Sequence, residues 1–252
     1  MNNAQTFSTG SENYAKSRPA YPEALFSCLS ALSENHESAW DCATGNGQAA
    51  ISCAKYFSHV EATDISPEQI QHCILHPRIR YSVSSAESTP FDVDSFDLIV
   101  VAQALHWFDQ QQFFRETKRV LKPNGILAIF GYGFVEIEPD IDKVIYENLL
   151  APIDRFWAKG NRSLMSGYRD VSLPFYEIAV QQDFALKVAW NLQQLSDYLR
   201  TWSAVKLFIA ELKHDPVTEL ALKLKPIWMA PEKIKTVNMP LVLRVCRKPS
   251  QK

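Results

Sequence analysis

One rhythm constrains this chain more than any other feature. Between residues 38 and 133, short apolar runs alternate with amphipathic stretches. SAWDCA (38–43), HVEATDI (59–65), IRYSVSS (79–85), FDLIVVAQA (96–104) and ILAIFGYG (126–133) have the length and apolar character of strands. Between them, QAAISCAKYF (48–57) and DQQQFFRETKRVL (109–121) carry helical periodicity. A third helix start stands at Ser66-Pro67-Glu68-Gln69. There Ser66 can cap, Pro67 suits the first helical position, and Gln69 completes a capping box. The four-residue apolar centre of 96–104 suits a sheet buried on both faces. This alternation predicts an α/β fold, a doubly wound and mostly parallel sheet with helices on both faces.

Outside that span the rhythm changes. Residues 1–20 are polar, Pro19 and Pro22 stiffen the chain around Tyr21, and residues 23–33 have one apolar helical face. Residues 136–172 read as helical and rich in Trp, Phe, Tyr and Arg. Residues 176–190 partly alternate like a strand, 191–212 read as a helix opening at Asn191, and 235–248 read as a last strand. The expected division is a lead-in (1–36) covering the cofactor site and a binding core (37–135). A helical cap with one core strand (136–215) and a C-terminal helix with the final strand (216–252) follow.

The bulk numbers remove several classes. Of 252 residues 46% are hydrophobic, enough for a sizeable core. The net charge of −2 lacks the basic footprint of a nucleic-acid-binding domain, so no nucleic-acid partner is expected. No run approaches the roughly 18–20 apolar residues of a membrane span, and the polar start does not read as a signal peptide. The five cysteines, Cys28, Cys42, Cys53, Cys73 and Cys246, are scattered without metal-ligand spacing. A reducing, cytoplasmic setting and no metal are expected.

In an open parallel sheet, ligands sit outside the carboxyl ends of the strands. The first strand–helix turn, WDCATGNGQ (40–48), contains Gly45-Asn46-Gly47-Gln48-Ala49-Ala50, a literal match to the dinucleotide pattern GxGxxA. Asp41, ahead of these glycines, is placed to face the ligand. A carboxylate there repels a pyrophosphate and favours the ammonium and sulfonium of S-adenosylmethionine. Asp64, ending the second strand, suits a grip on ribose hydroxyls, a device common to both ligand classes. Ser85 and Ala86 after the third strand are placed for adenine. His106 and Trp107 follow the fourth strand, where the reacting atoms would lie. His106 is the best-placed base, although a lone histidine is more often structural.

Together, WDCATGNGQ, ATDIS, SSAESTPFDVDSFDLIV, AQALHWFD and RVLKPNG resemble class I S-adenosylmethionine-dependent methyltransferases in order and spacing, over about residues 37–133. YAKSRPAYP, HWFD and LRTWSA (199–204) are similar to the trans-aconitate-methyltransferase-like small-molecule group, which includes carboxylate O-methylating members. The resemblance implies a Rossmann-like, seven-stranded sheet and an S-adenosylmethionine site built from Asp41, Ala43, Gly45, Gly47, Gln48, Asp64, Ile65, Ser85, Ala86, Glu87, Ala102, Gln103, Tyr14 and Arg18. It implies a small-molecule methyl acceptor held by Tyr21, Trp107, Trp157, Arg200 and Trp202 beneath the inserted helices. Arg18, Arg155 and Arg162 join Arg200 as candidate anion holders. Two departures stand out. Ala43 replaces the family's usual glycine, and Ser85 stands where many relatives carry an acid. A non-catalytic binding protein of this fold, or an NAD-dependent oxidoreductase, are the competing readings.

Overall fold

The structure is a computed structural model that describes residues 20–250. Tyr14, Arg18 and most of the expected lead-in lie outside the described residues. Five strands follow the predicted rhythm: β1 (Ser38–Cys42), β2 (His59–Asp64), β3 (Ile79–Val83), β4 (Phe96–Ala102) and β5 (Leu121–Tyr132). They are parallel neighbours in the order β3-β2-β1-β4-β5. The chain thus leaves β1 toward one side and later crosses to the other, which creates a switch point at β1 and β4.

Three strands complete the sheet: β6 (Tyr176–Ile178), β7 (Ala185–Trp190) and β8 (Lys235–Arg247). The seven-strand path is β3-β2-β1-β4-β5-β8-β6, with β8 antiparallel to both neighbours. An eighth strand, β7, pairs with β8 off this path. The reason lies in β8. Its residues 235–240 pair with β7, and from Leu241 onward it pairs with β5. The stretch expected to give one core strand, 176–190, therefore splits into two that serve different halves of β8.

Alternation along the central strands explains the layers. Leu98 and Val100 of β4 face the core beneath α1 (Glu23–Leu32) and α2 (Gln48–Cys53). Ile99 and Val101 face the opposite core, with Trp40 and Phe113 of α4 (Gln110–Val120). Between these helices, α3 (Pro67–Gln71) is short; the Ser66 hydroxyl accepts from the Gln69 amide, as its sequence suggests. Every β4 residue from Phe96 to Val101 is buried, the consequence of helices on both faces.

The inserted region has a core of its own. α5 (Pro139–Ile145) runs on through a π-helical turn (Tyr146–Leu150), and α6 (Lys159–Met165) follows. α7 (Leu192–Arg200), α8 (Ser203–Leu212) and α9 (Pro216–Trp228) close the group. α7 opens on a full capping box at Asn191. The single helix expected over 191–212 is two. Trp202 takes an extended conformation between them, and its ring packs against Phe134, Trp157 and Tyr198. No described helix is long and apolar enough to cross a membrane.

Candidate active site

A cavity of about 330 Å³ opens at the carboxyl ends of β1, β2 and β4. Its floor is the glycine loop. Ala43, Gly45 and Gly47 all take left-handed backbone, at φ +57°, +57° and +89°. Glycine adopts that conformation freely; alanine pays for its Cβ. Ala43 thus occupies a position that favours glycine, and it does so on the cavity wall. Gly47 is buried just below the surface. A Cβ there would lie 2.6 Å from the Tyr81 hydroxyl.

Asp41 is not on the wall. It is wholly buried under the loop, and its Oδ2 accepts from the Thr44 hydroxyl at 2.5 Å. Burial pushes its carboxyl up to about 7, against the pull of Thr44 and of the nearby Ala50 amide. Oδ1 accepts no hydrogen bond among the described residues. The expectation that this carboxylate faces the ligand meets a different placement, because the side chain ties down its own loop.

Asp64 does face the cavity. Its Oδ2 accepts from the Gly45 amide and its Oδ1 from the Ser66 amide, both at 2.9 Å. Burial raises its carboxyl and these amides oppose the rise. A carboxylate offers about four acceptor positions. Two amides therefore leave room for two hydroxyl donors, and the same side chain sets the loop and addresses the ligand.

The third strand end differs in detail from the expectation. Ser84, Ala86 and Glu87 line the cavity, but Ser85 does not. The Ser85 hydroxyl donates to Glu87, which also accepts from the Asp109 amide at 3.1 Å. At the fourth strand end, Ala102 and Gln103 line the cavity together with Ala104, Trp107 and Phe108. Gln103 has φ +58°, donates its amide to Phe130 O at 2.8 Å and its side-chain NH2 to Tyr132 O at 3.2 Å. Gln48 and Ile65 are on the wall as expected.

His106 is turned away. It lies on the 3-10 turn Leu105–Trp107 and is absent from the cavity wall; its Nδ1 hydrogen-bonds the Tyr168 hydroxyl at 3.0 Å. Burial holds its pKa down to about 4, so the ring is neutral near pH 7. A base must reach the proton it removes, and this ring reaches the inserted segment instead.

The expected acceptor pocket divides. Tyr21 and Trp107 line the cavity, joined by Tyr132 and Phe108. Trp157 and Trp202 pack against each other in the cap core, tilted by 51° with ring centroids 5.7 Å apart. Arg200 pairs with Asp215 at 2.8 Å, Arg155 with Glu211 at 2.9 Å, and Arg162 with Asp154 at 3.0 Å. No residue of 136–215 lines the cavity among the described residues. The inserted helices back the cavity and do not roof it.

Sequence reasoning missed Thr44, Asn46, Ala49, Gln69, Ser84, Ala104, Phe108 and Tyr132. Tyr132 and Phe108 had a usable signal, since each ends or follows a strand whose carboxyl end faces the site. Among the described lining residues there are two carboxylates, Asp64 and Glu87, and no lysine or arginine. A pyrophosphate would be desolvated against those carboxylates without a counter-charge. A sulfonium-bearing nucleoside meets no such conflict, and the Asp64 acceptors suit its ribose. The donor set fits S-adenosylmethionine better than NAD. Among the described residues, no group of three His, Cys, Asp or Glu is placed to hold a metal.

Comparison with known proteins agrees with this geometry. Residues 40–129 match a family described as a methyltransferase domain. A Dictyostelium discoideum protein named "putative methyltransferase" is 30% identical over 249 residues, 96% of this chain and 94% of that one. A solved structure described as a "putative type II methyltransferase", from Anaeromyxobacter dehalogenans, is 34% identical. It superposes with a TM-score of 0.87 over 93% of this chain and 99% of that chain. The [4+2]-cyclase SpnF, at 14% identity and a TM-score of 0.53 over 98% of this chain and 96% of its own, shares the fold alone.

Proposed function

Because this chain belongs to the methyltransferase family, we propose that it transfers the methyl group of S-adenosylmethionine to a small-molecule acceptor. The cofactor brings a methyl already activated on a sulfonium, so the protein's work is position and exclusion of water. The observation that supports the reading most is Asp64, which braces the Gly45 amide while keeping acceptor positions toward the cavity. Gln48, Ile65, Ala86, Glu87, Ala102 and Gln103 complete the cofactor site in this reading. The acceptor lies against Tyr21, Trp107, Phe108 and Tyr132.

The trans-aconitate-like resemblance extends the proposal to carboxylate acceptors. Such an acceptor needs no general base, only a cation. Arg155, Arg162 and Arg200 are already paired with carboxylates. Arg18, in the preceding segment, remains the proposed holder.

The test is transfer of a labelled methyl group from S-adenosylmethionine to panels of carboxylic acids, phenols, amines and thiols. Turnover on one panel supports the reading. Weak S-adenosylhomocysteine binding with no turnover on any panel would favour the non-catalytic alternative, for which the strained Ala43 on the cavity wall is the motivating feature.

A further inference from the structure

The back of the cavity wall is held by residues that do not line the cavity. The turn Gln103–Phe108 supplies Gln103, Ala104, Trp107 and Phe108 to the wall. Its far side is held by the inserted segment at three points. Gly160, in the first turn of α6, sits so close that a Cβ would lie 2.5 Å from His106 O and 2.9 Å from its Cβ. Leu164, one turn on, packs beside Gln103 over Gly131, where a Cβ would meet Leu164 Cδ1 at 2.6 Å and Gln103 Oε1 at 2.9 Å. Tyr168, just after α6, places its hydroxyl 3.0 Å from His106 Nδ1, with the two rings nearly parallel at 26°.

Tyr168 is itself fixed. It is 1% exposed and has φ +53°, after Gly167 at φ +76°. Arg244 of β8 donates to its carbonyl and to Val171 O at 2.7 Å, and pairs with Glu177 of β6 at 2.8 Å. A chain of fixed groups therefore runs from the antiparallel edge of the sheet through Tyr168 to His106. The His106 ring in turn contacts the Trp107 ring at 5.0 Å. Trp107 faces the cavity.

We propose that His106 is a positioning residue, latched by Tyr168 and seated on Gly160, through which the inserted segment fixes Trp107 and Phe108 against the ligand. This rests on the methyltransferase reading only for the ligand's identity. The latch uses two uncharged groups near pH 7, because burial holds His106 near 4 and raises the Tyr168 hydroxyl. It is therefore a steric and hydrogen-bonding device, and no proton need move. It also explains how an insertion whose described residues line none of the cavity can still govern it.

The test uses the full chain with S-adenosylhomocysteine as probe, and hydrogen exchange over residues 104–108 without ligand. The Trp107 and Phe108 amides bond to Ala104 O and Leu105 O, so exchange reports directly on the turn. Tyr168→Phe removes one neutral hydrogen bond and keeps the ring. It should weaken S-adenosylhomocysteine about 5–10-fold and speed exchange in 104–108. His106→Leu should behave alike. His106→Asn, whose amide reaches the Nδ1 position, should bring the affinity back to within about twofold of the parent, on the same hydrogen-bond scale. A role in overall stability alone would not give that rescue. Unchanged affinity in both Tyr168→Phe and His106→Leu, or no rescue by His106→Asn, overturns the latch. If the parent chain binds no S-adenosylhomocysteine, the cofactor assignment falls. Exchange then decides the latch alone, and an unaltered rate in Tyr168→Phe sinks it.

Discussion

The sheet's parallel half and the inserted cap use similar residues toward opposite ends. In the parallel half, acids and aromatics at strand ends look into a cavity: Asp64, Glu87, Trp107 and Tyr132. In the cap, acids, arginines and aromatics satisfy one another: Arg200 with Asp215, Trp157 with Trp202, Lys235 with Glu138. The difference follows from topology. Strand ends at a switch point leave a crevice that cannot close on itself, whereas helices packed side by side bury their faces against one another. A polar or aromatic residue is thus evidence of binding only where the backbone leaves it something to face.

The contrast can be broken by substitution. Trp202→Ala should remove a buried ring from the cap core and cost about 3–5 kcal/mol of stability. S-adenosylhomocysteine affinity near its original value, once the protein is folded, is the expected companion result in calorimetry below the melting point. A collapse of affinity at full folding would put Trp202 in the binding site after all.

Asp41 sharpens the comparison from within the parallel half, since it is polar, at a strand end, and yet faces inward. Its folded pKa of about 7 is above the usual carboxylate value of 3.8. The native state therefore binds more protons than the unfolded chain between those values. Its contribution to stability is full below about pH 4 and is lost as pH rises toward 7, on the order of 2–4 kcal/mol in all. Asp41→Asn should flatten that part of the pH profile in denaturant titrations. A profile that keeps its slope would show that Asp41 titrates normally.

Asp64→Ala removes the bridge between loop and ligand. We expect S-adenosylhomocysteine to weaken by about 100-fold, from lost charge-assisted hydrogen bonds, with a smaller loss of stability from the freed Gly45 and Ser66 amides. Affinity within a factor of a few would move the ribose elsewhere. The smallest effect belongs to Ala43→Gly. Relief of left-handed strain, less the added entropy of glycine in the unfolded chain, should stabilise by about 0.5–1 kcal/mol. Thermal melts that fall instead would mean that the Ala43 methyl makes a needed contact.

Most of the parallel half was legible because its determinants are local. Ser66 caps the residues beside it, β4 shows its burial in six consecutive positions, and Asp64 ends its own strand. What escaped was decided by distant chain. Arg200 meets Asp215 from the start of α9, and His106 meets a tyrosine 62 residues later. Nothing near HWFD says which way the imidazole turns. Likewise the second strand of 176–190 exists because β8 is long enough to pair twice. The placement of Asp41 escapes the sequence for a related reason. Its position at a strand end was correct, but the inward side of the pleat and the Thr44 hydroxyl take it below the surface.

The central claim is that the cavity beneath Tyr21 and Trp107 holds an adenosine-bearing sulfonium and not a pyrophosphate. Calorimetry of the unmodified chain against S-adenosylhomocysteine and against NAD(H), at the same pH and salt, tests it most directly. The account predicts saturable binding of the first and none of the second. Binding of NAD(H) without S-adenosylhomocysteine would contradict it.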